Sequence, residues 1–110
     1  MEDQNFDKPV TMTIKKHVVV YGKHEYILTN VQNLLDKAGF TSVGFTVLAE
    51  TLDYIRMNPL DAVLIGGGVE PIDRARIKDL IREDFAHAKV IEHFGGPATI
   101  LNEVKAAIGE

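Results

Sequence analysis

The apolar residues of this chain fall into short runs that alternate with spaced stripes. The run His17-Val18-Val19-Val20-Tyr21 is rich in β-branched residues, as a strand buried on both faces is, and Gly22 ends it. Across 25–38 the apolar residues recur with the period of an α-helix, and Gly39 follows where a left-handed C-terminal cap is expected. The pattern predicts a first strand over 16–21 and a first helix over 25–38.

Three more strand and helix pairs follow the first. Strands are predicted over 42–47, 62–65 and 88–92, and helices over 49–57, 71–84 and from Pro97 onward. Asn58-Pro59 ends the second helix, whereas Pro71 and Pro97 suit the first turns of the third and the last. The residues expected to face inward are Ala49, Leu52 and Ile55 in the second helix, Ile72, Ala75, Leu80 and Ile81 in the third, and Ile100, Leu101, Val104 and Ile108 in the last.

This alternation predicts the fold class. Strands and helices that alternate over short connections pair as parallel strands with right-handed crossovers. The prediction is a single α/β domain over 12–110, a three-layer open parallel sheet of four βα units with strand order 2-1-3-4. Residues 1–11 fall outside the pattern and are expected to form an N-terminal tail.

Composition and charge narrow the classes of function. The chain has 110 residues, enough for one domain with a modest core, and its formal net charge is -4. Because no basic cluster occurs, we expect neither nucleic acid nor an anionic membrane surface as a partner. The lack of cysteine excludes disulfides and thiol nucleophiles. With no apolar run near the roughly 20 residues that span a bilayer and no secretory signal pattern, the expected location is cytoplasmic.

Two strand ends lead into glycine-rich turns. Gly66-Gly67-Gly68 follows the third strand, and Gly95-Gly96 follows the fourth and precedes Pro97. Glycines let a ligand approach the backbone, and helix N-termini attract anions, so these glycine-rich loops are candidate contacts for a small anionic ligand in the crevice at the strand ends. The alternative is a tight turn that requires positive φ and holds no ligand, and Glu70 would repel an anion.

Three side chains with useful chemistry follow strands at the same predicted edge. Lys23 and His24 come after the first strand and His93 after the fourth, with Glu25, Glu70 or Glu92 as possible carboxylate neighbours of the imidazoles. A solvated lysine and a packing histidine are the commoner alternatives. No dinucleotide or P-loop motif occurs, so we assign no catalytic residue, metal or cofactor. The candidate ligand-binding residues are Gly22, Lys23, His24, Gly66, Gly67, Gly68, His93, Gly95 and Gly96.

Other polar residues are assigned to stability or to the surface. His17 and His87 lie at the opposite strand ends, where a structural role is expected. The mixed charges of the third helix, including Arg74, Arg76 and Lys78, are typical of a solvated face.

The strand pattern and the segment Asp61-Ala62-Val63-Leu64-Ile65-Gly66 resemble a response-regulator receiver domain, which has a flavodoxin-like (Rossmann-like) fold, from about Met12 onward. In that family an acidic pair that holds magnesium ends the first strand, where this chain has Tyr21 and Gly22. The phosphate-accepting aspartate ends the third strand, where this chain has Gly66, and a lysine followed by proline ends the last, where His93 to Pro97 stand. The family has five βα units and this sequence predicts four. The resemblance implies the fold and a pseudo-receiver without aspartyl phosphorylation.

Two classes of function stay open. The first is a non-enzymatic regulatory or protein-interaction module on a receiver-like scaffold. The second is a small-ligand binding protein, or a minor enzyme, that takes an anion or a phosphorylated metabolite in the glycine-rich crevice. A protein partner or a homodimer is expected because no fifth unit covers outer strands two and four, and Leu101 and Ala107 widen the apolar face of the last helix.

Overall fold

The computed structural model describes residues 15–94 and 97–109. The strands are β1 (His17–Tyr21), β2 (Thr41–Phe45), β3 (Ala62–Ile65) and β4 (Lys89–Glu92). The helices are α1 (Glu25–Lys37), α2 (Leu48–Met57), α3 (Pro71–Asp84) and α4 (Ile100–Ile108), and one turn of 3₁₀ helix, Pro97–Thr99, leads into α4. The predicted tail over 1–11 lies outside the described residues.

The four strands form one parallel sheet in the order β2-β1-β3-β4, so the predicted fold class is confirmed. Val19 of β1 is in register with Val43 of β2 and Val63 of β3, and Val63 with Val90 of β4. Because all strands run the same way, their carboxyl ends meet at one edge. We call it the C-terminal edge, which is formed by Tyr21, Phe45, Ile65 and Glu92, and the opposite one the N-terminal edge.

The two faces of the sheet bury separate hydrophobic clusters. Along β1, Val18 and Val20 point to the face covered by α1 and α4, whereas Val19 and Tyr21 point to the face covered by α2 and α3. β3 alternates in the same way, with Ala62 and Leu64 on the first face and Val63 and Ile65 on the second. Both inner strands are therefore buried on both faces, as the β-branched runs predict.

The element boundaries differ from the predictions by a few residues. β2 begins at Thr41 because its N–H donates to Lys16 O at 2.9 Å and extends the ladder, and β2 ends at Phe45. Gly39 has φ +94°, so the left-handed residue expected after α1 is confirmed. Of the helices in the described part of the chain, none is both long and apolar enough to span a bilayer.

The predicted inner face of α3 is confirmed in part. Ile81 is buried and Leu80 packs against the core as predicted, whereas Ile72 and Ala75 are exposed and Arg74 and Ile77 are buried instead. The helix is rotated from the predicted orientation, so that Arg74 faces the C-terminal edge. There it donates hydrogen bonds to Val69 O and Gly66 O.

The inner faces of α2 and α4 are closer to the predictions. In α2, Leu52 and Ile55 are buried as predicted, Ala49 is exposed, and Thr51 is buried with its hydroxyl donating to Val47 O at 2.9 Å. In α4, Ile100 and Val104 are buried, and Leu101 and Ile108 are half-buried.

Candidate functional site

A cavity of about 550 Å³ opens at the C-terminal edge, between the ends of β1 and β3 and the first half of α1. Seven of the nine candidate ligand-binding residues line it, namely Gly22, Lys23, His24, Gly66, Gly67, Gly68 and His93. The other two, Gly95 and Gly96, lie outside the described residues. The fold thus gathers residues from three loops at one cavity, and their binding of a ligand stays a prediction.

The wall of this cavity is mostly apolar. Its buried part is formed by five side chains of the core between the sheet and helices α1 and α4, which are Val20, Leu28, Val31, Leu64 and Ile100. Tyr26, Ile27 and Phe94 line it as exposed side chains. A cavity of this size, apolar with a few polar groups, is typical of sites for small organic molecules.

The triglycine turn does not owe its glycines to backbone strain. Positive φ occurs among the described glycines at Gly39 and Gly109, not at Gly66 or Gly68. A Cβ on Gly66 would lie 3.6 Å from Tyr21 O, which is an ordinary contact. The tight-turn interpretation, which required positive φ, is therefore wrong for these two positions.

The segment after β1 runs beside the triglycine turn. Lys23 is exposed, and its Cγ lies 3.7 Å from the position that a Cβ on Gly68 would occupy. His24 is exposed too, and its carbonyl accepts hydrogen bonds from the N–H groups of Ile27 and Leu28 at 3.1 Å, which begins α1. The start of α1 therefore holds Lys23 against the turn after β3.

His93 follows β4 and is buried, with 5% of its surface exposed. Its Nδ1 lies 2.7 Å from Glu103 Oε1, and Thr99 Oγ1 donates to Glu103 Oε2 at 3.1 Å. Its Nε2 is buried without a hydrogen-bond partner among the described residues. The carboxylate neighbour of this imidazole is thus Glu103 of α4, and not one of the three glutamates considered from the sequence.

Arg74 is a part of this edge that the sequence analysis missed. It is only 8% exposed, so its assignment to a solvated face is wrong. Nε donates to Val69 O at 3.0 Å, Nη2 donates to Gly66 O at 2.6 Å, and the guanidinium lies 4.6 Å from the centre of the Phe94 ring. The signal in the sequence is its spacing from Ile77 and Ile81, which places all three on one helical face.

Glu92 is held by two cations. Arg74 Nη1 lies 3.1 Å from its Oε1 and Lys78 Nζ lies 2.7 Å from its Oε2. The Lys78 hydrogen bond, with help from Arg74, lowers the pKa of Glu92 although partial burial opposes this. Because Arg74 also donates to Gly66 O, its ion pair with Glu92 links the triglycine turn after β3 to the end of β4.

Tyr21 ends β1 and is fully buried on the α2 and α3 face. Its hydroxyl donates to Asp73 Oδ2 at 3.0 Å. Burial, followed by the hydrogen bond to Asp73, raises the pKa of Tyr21 to about 12.

Within 15–94 and 97–109, no group of three or more His, Asp or Glu side chains is placed to hold a metal ion.

By sequence, the chain matches no protein-family model and no curated protein. By structure it is similar to a response regulator from Thermotoga maritima, with 25% identity, 86% of this chain and 80% of that chain covered, and a TM-score of 0.62. A response regulator receiver protein from Pseudomonas putida is 14% identical, with 86% and 81% covered and a TM-score of 0.63. A de novo designed Rossmann fold protein is 14% identical, with 88% and 100% covered and a TM-score of 0.62.

These similarities show that the chain has the receiver-like, flavodoxin-like fold that its strand pattern predicts. The designed protein shares the fold to the same degree, so the fold alone does not carry a function.

Proposed function

We propose that this chain is a non-enzymatic regulatory or protein-interaction module, a receiver-like domain that works without aspartyl phosphorylation. The observation that supports this proposal best is which residues end β1 and β3 at the C-terminal edge. β1 ends in Tyr21 followed by Gly22, and β3 ends in Ile65 followed by Gly66. Where the family resemblance places a magnesium-binding acidic pair and a phosphate acceptor, these strands supply no carboxylate.

The half-buried carboxylates near this edge support the same proposal, because each already has a partner. Asp73 accepts from the Tyr21 hydroxyl. Glu92 is paired with Arg74 and Lys78, and Glu103 is bonded to His93 and Thr99. A carboxylate that is engaged in this way is a poor nucleophile toward a phosphoryl donor, because the bonds that lower its energy must first be broken.

Exposed apolar side chains at the same edge favour a protein partner. Five of the six large hydrophobic residues that are exposed in the described part of the chain lie in the loop after a strand or in the first turn of the next helix; they are Tyr26, Ile27, Val47, Ile72 and Phe94. Concentrations of exposed apolar surface mark interaction sites in many domains. Within this proposal the module is cytoplasmic, as the composition predicts.

Intact-mass spectrometry tests this proposal. After incubation with acetyl phosphate and Mg²⁺ we expect the mass of the protein to stay unchanged, while a receiver domain with its acceptor aspartate, treated in parallel, gains one phosphoryl group. A stoichiometric adduct on this chain would overturn the proposal.

A second candidate function is the binding of a small anionic ligand in the cavity. The observation that favours it is the meeting of Lys23, the triglycine turn and the buried His93 around one apolar cavity. A thermal-shift screen of nucleotides, phosphorylated metabolites and small organic acids tests it. We expect at least one saturable stabilisation, and a screen without any would count against this function.

A further inference from the structure

Three exposed apolar side chains border the cavity at the C-terminal edge. Tyr26 and Ile27, in the first turn of α1, are 73% and 46% exposed, and Phe94 after β4 is 66% exposed. They make up half of the six large hydrophobic residues that are exposed in the described part of the chain. Exposed apolar side chains that gather around a concave site mark an interaction surface, whereas single ones scattered over a protein need no explanation.

The Phe94 ring is held in place although most of it is exposed. The guanidinium of Arg74 lies 4.6 Å from the centre of the ring, and a cation in this position attracts the face of an aromatic ring. Arg74 is itself buried and donates hydrogen bonds to Val69 O at 3.0 Å and to Gly66 O at 2.6 Å. A side chain that is ordered before binding loses less conformational entropy when a partner covers it.

The exposed border requires a partner larger than the cavity. The volume of about 550 Å³ exceeds that of any single amino-acid side chain, and core residues such as Leu28 and Ile100 form its floor. Tyr26 and Phe94 are more than half exposed although they line this cavity, so a molecule confined to it does not cover them. A peptide that places one apolar side chain in the cavity and continues across its border covers both.

α1 also supplies a polar group that suits a peptide backbone. Asn30 is exposed and lines the cavity. It lies three positions after Ile27 and four after Tyr26, so the three residues share one face of the helix. The side-chain amide of Asn30 has donors and an acceptor, and it can pair with the C=O or the N–H of a peptide that crosses this face.

The charge of the lining favours an acidic peptide. Lys23 is exposed and lines the cavity, whereas no Asp or Glu lines it among the described residues. Glu25 and Glu70, the exposed carboxylates nearest to these loops in sequence, lie outside the lining. The chain as a whole has a formal net charge of -4, so this cationic cavity differs from the rest of the molecule. Complementary charge selects among partners, and here it selects against basic ones.

We infer that the cavity and its border form the docking surface for a short acidic segment of a partner protein. The border consists of Lys23, Tyr26, Ile27, Asn30 and Phe94. The segment places one large apolar side chain in the cavity, and a neighbouring Asp or Glu of the segment pairs with Lys23. This inference rests on the proposed protein-interaction function and adds the surface and the chemistry of the partner.

Selection from a display library of short random peptides tests the chemistry of the partner. The full chain, immobilised, should enrich peptides that combine Phe, Trp, Leu or Ile with Asp or Glu and that are poor in Lys and Arg. The most enriched peptide is then synthesised, and its affinity is measured by fluorescence anisotropy. We expect one peptide to bind per chain, and to bind more weakly at higher salt concentration, because salt screens an exposed ion pair.

Matched variants locate the surface. Phe94→Ser and Tyr26→Ser should each weaken binding of the synthetic peptide about tenfold, whereas Met57→Ser, at an exposed position that ends α2, should bind as the wild type does. Lys23→Glu should weaken binding by a similar factor, with the exposed Lys37→Glu at the far end of α1 as its control. Because all five replaced side chains are exposed, we expect melting temperatures close to that of the wild type.

Three results would overturn the inference. One is a selection that enriches no peptide or only basic ones, and another is binding that Phe94→Ser and Lys23→Glu leave intact. The third is a dimer in light scattering that Phe94→Ser dissociates, because a second copy of the chain then covers this surface.

Failure of the inference is distinguishable from failure of the proposed function. If Ile72→Ser, at an exposed position of α3, abolishes binding of the synthetic peptide while Phe94→Ser does not, the docking surface is wrong and the protein-interaction function stands. A phosphoryl adduct in the mass measurement would overturn the proposed function whichever peptides bind.

Discussion

The two edges of the sheet use histidine in opposite ways. At the N-terminal edge, His17 Nδ1 lies 2.6 Å from Thr41 Oγ1 and Nε2 lies 2.7 Å from Tyr54 Oη, while the His17 N–H donates to Asp61 Oδ2 at 2.8 Å. At the C-terminal edge, His93 has a partner for Nδ1 and none for Nε2 among the described residues. Both ring nitrogens of His17 are hydrogen-bonded within the fold, whereas Nε2 of His93 is buried without a partner in the part of the chain that the structure describes.

The two edges differ in more than their histidines. Both edges belong to the same sheet, but within residues 15–94 and 97–109 only the C-terminal edge combines a triglycine turn, exposed apolar residues and an unpartnered buried nitrogen. This agrees with the rule that open α/β sheets bind ligands at the carboxyl ends of their strands. Where the family resemblance places acidic residues, at the ends of β1 and β3, this chain has Tyr21, Gly22 and Gly66.

We expect the largest loss of stability from a substitution of Arg74 at the C-terminal edge. Arg74→Ala removes hydrogen bonds to Val69 and Gly66 and leaves Glu92 with Lys78 alone, so we expect a loss of about 2–3 kcal/mol in the free energy of unfolding. Arg76→Ala, on the exposed face of the same helix, should stay within about 0.5 kcal/mol. Urea denaturation measures both, and equal values for the two variants would contradict the structural role of Arg74.

His17→Phe tests the N-terminal edge. The change removes both ring hydrogen bonds and leaves the Tyr54 hydroxyl without this partner, so we expect a loss of about 1–2 kcal/mol. Ligand binding at the cavity should be unaffected. A change of affinity at constant stability would show that the two edges are not separate in the way that we describe.

Tyr21→Phe gives a smaller effect at neutral pH and a distinct one in alkali. Loss of the bond to Asp73 should cost about 1 kcal/mol. Because the folded-state pKa of Tyr21 is raised from 10.0 to about 12, its contribution is complete below pH 10.0 and is lost as the pH rises toward 12. The stability of the wild type should therefore fall more steeply over this pH range than that of the variant. Unfolding monitored by circular dichroism at several pH values measures this, and parallel curves of stability against pH for the two proteins would contradict the raised pKa.

Self-association is the weakest expected effect. β2 and β4 are the outer strands of the sheet, and a second copy of the chain would pair with the free backbone groups along the side of such a strand. α4 is a less suitable contact than its apolar width predicts, because Ala107 and Ile108 pack against the core of their own domain. Light scattering at micromolar concentration should give a mass above the monomer mass of 12.2 kDa. A mass that stays at the monomer value when the sample is concentrated would contradict self-association.

The sequence predicts the fold better than it predicts the site. The positions of the strands and helices and the left-handed Gly39 follow from period and turn chemistry, which are local properties. The partners of Arg74 and His93 are not local, since Glu92 is 18 positions from the first and Glu103 is 10 from the second. A hydrophobic pattern treats Arg74 as polar and therefore outward, although its spacing from Ile77 and Ile81 places it on the buried face of the helix. Its acceptors, Val69 O and Gly66 O, are visible only in the three-dimensional structure.

Amide NMR spectra recorded during one series of additions test the central claim most directly. Mg²⁺ with acetyl phosphate should leave the spectrum unchanged, and a ligand identified in the thermal-shift screen should then shift Lys23, Gly67, Gly68 and His93 but not His17 or His87. Shifts at the ends of β1 and β3 that require Mg²⁺ and acetyl phosphate would contradict the account, as would ligand shifts confined to the N-terminal edge.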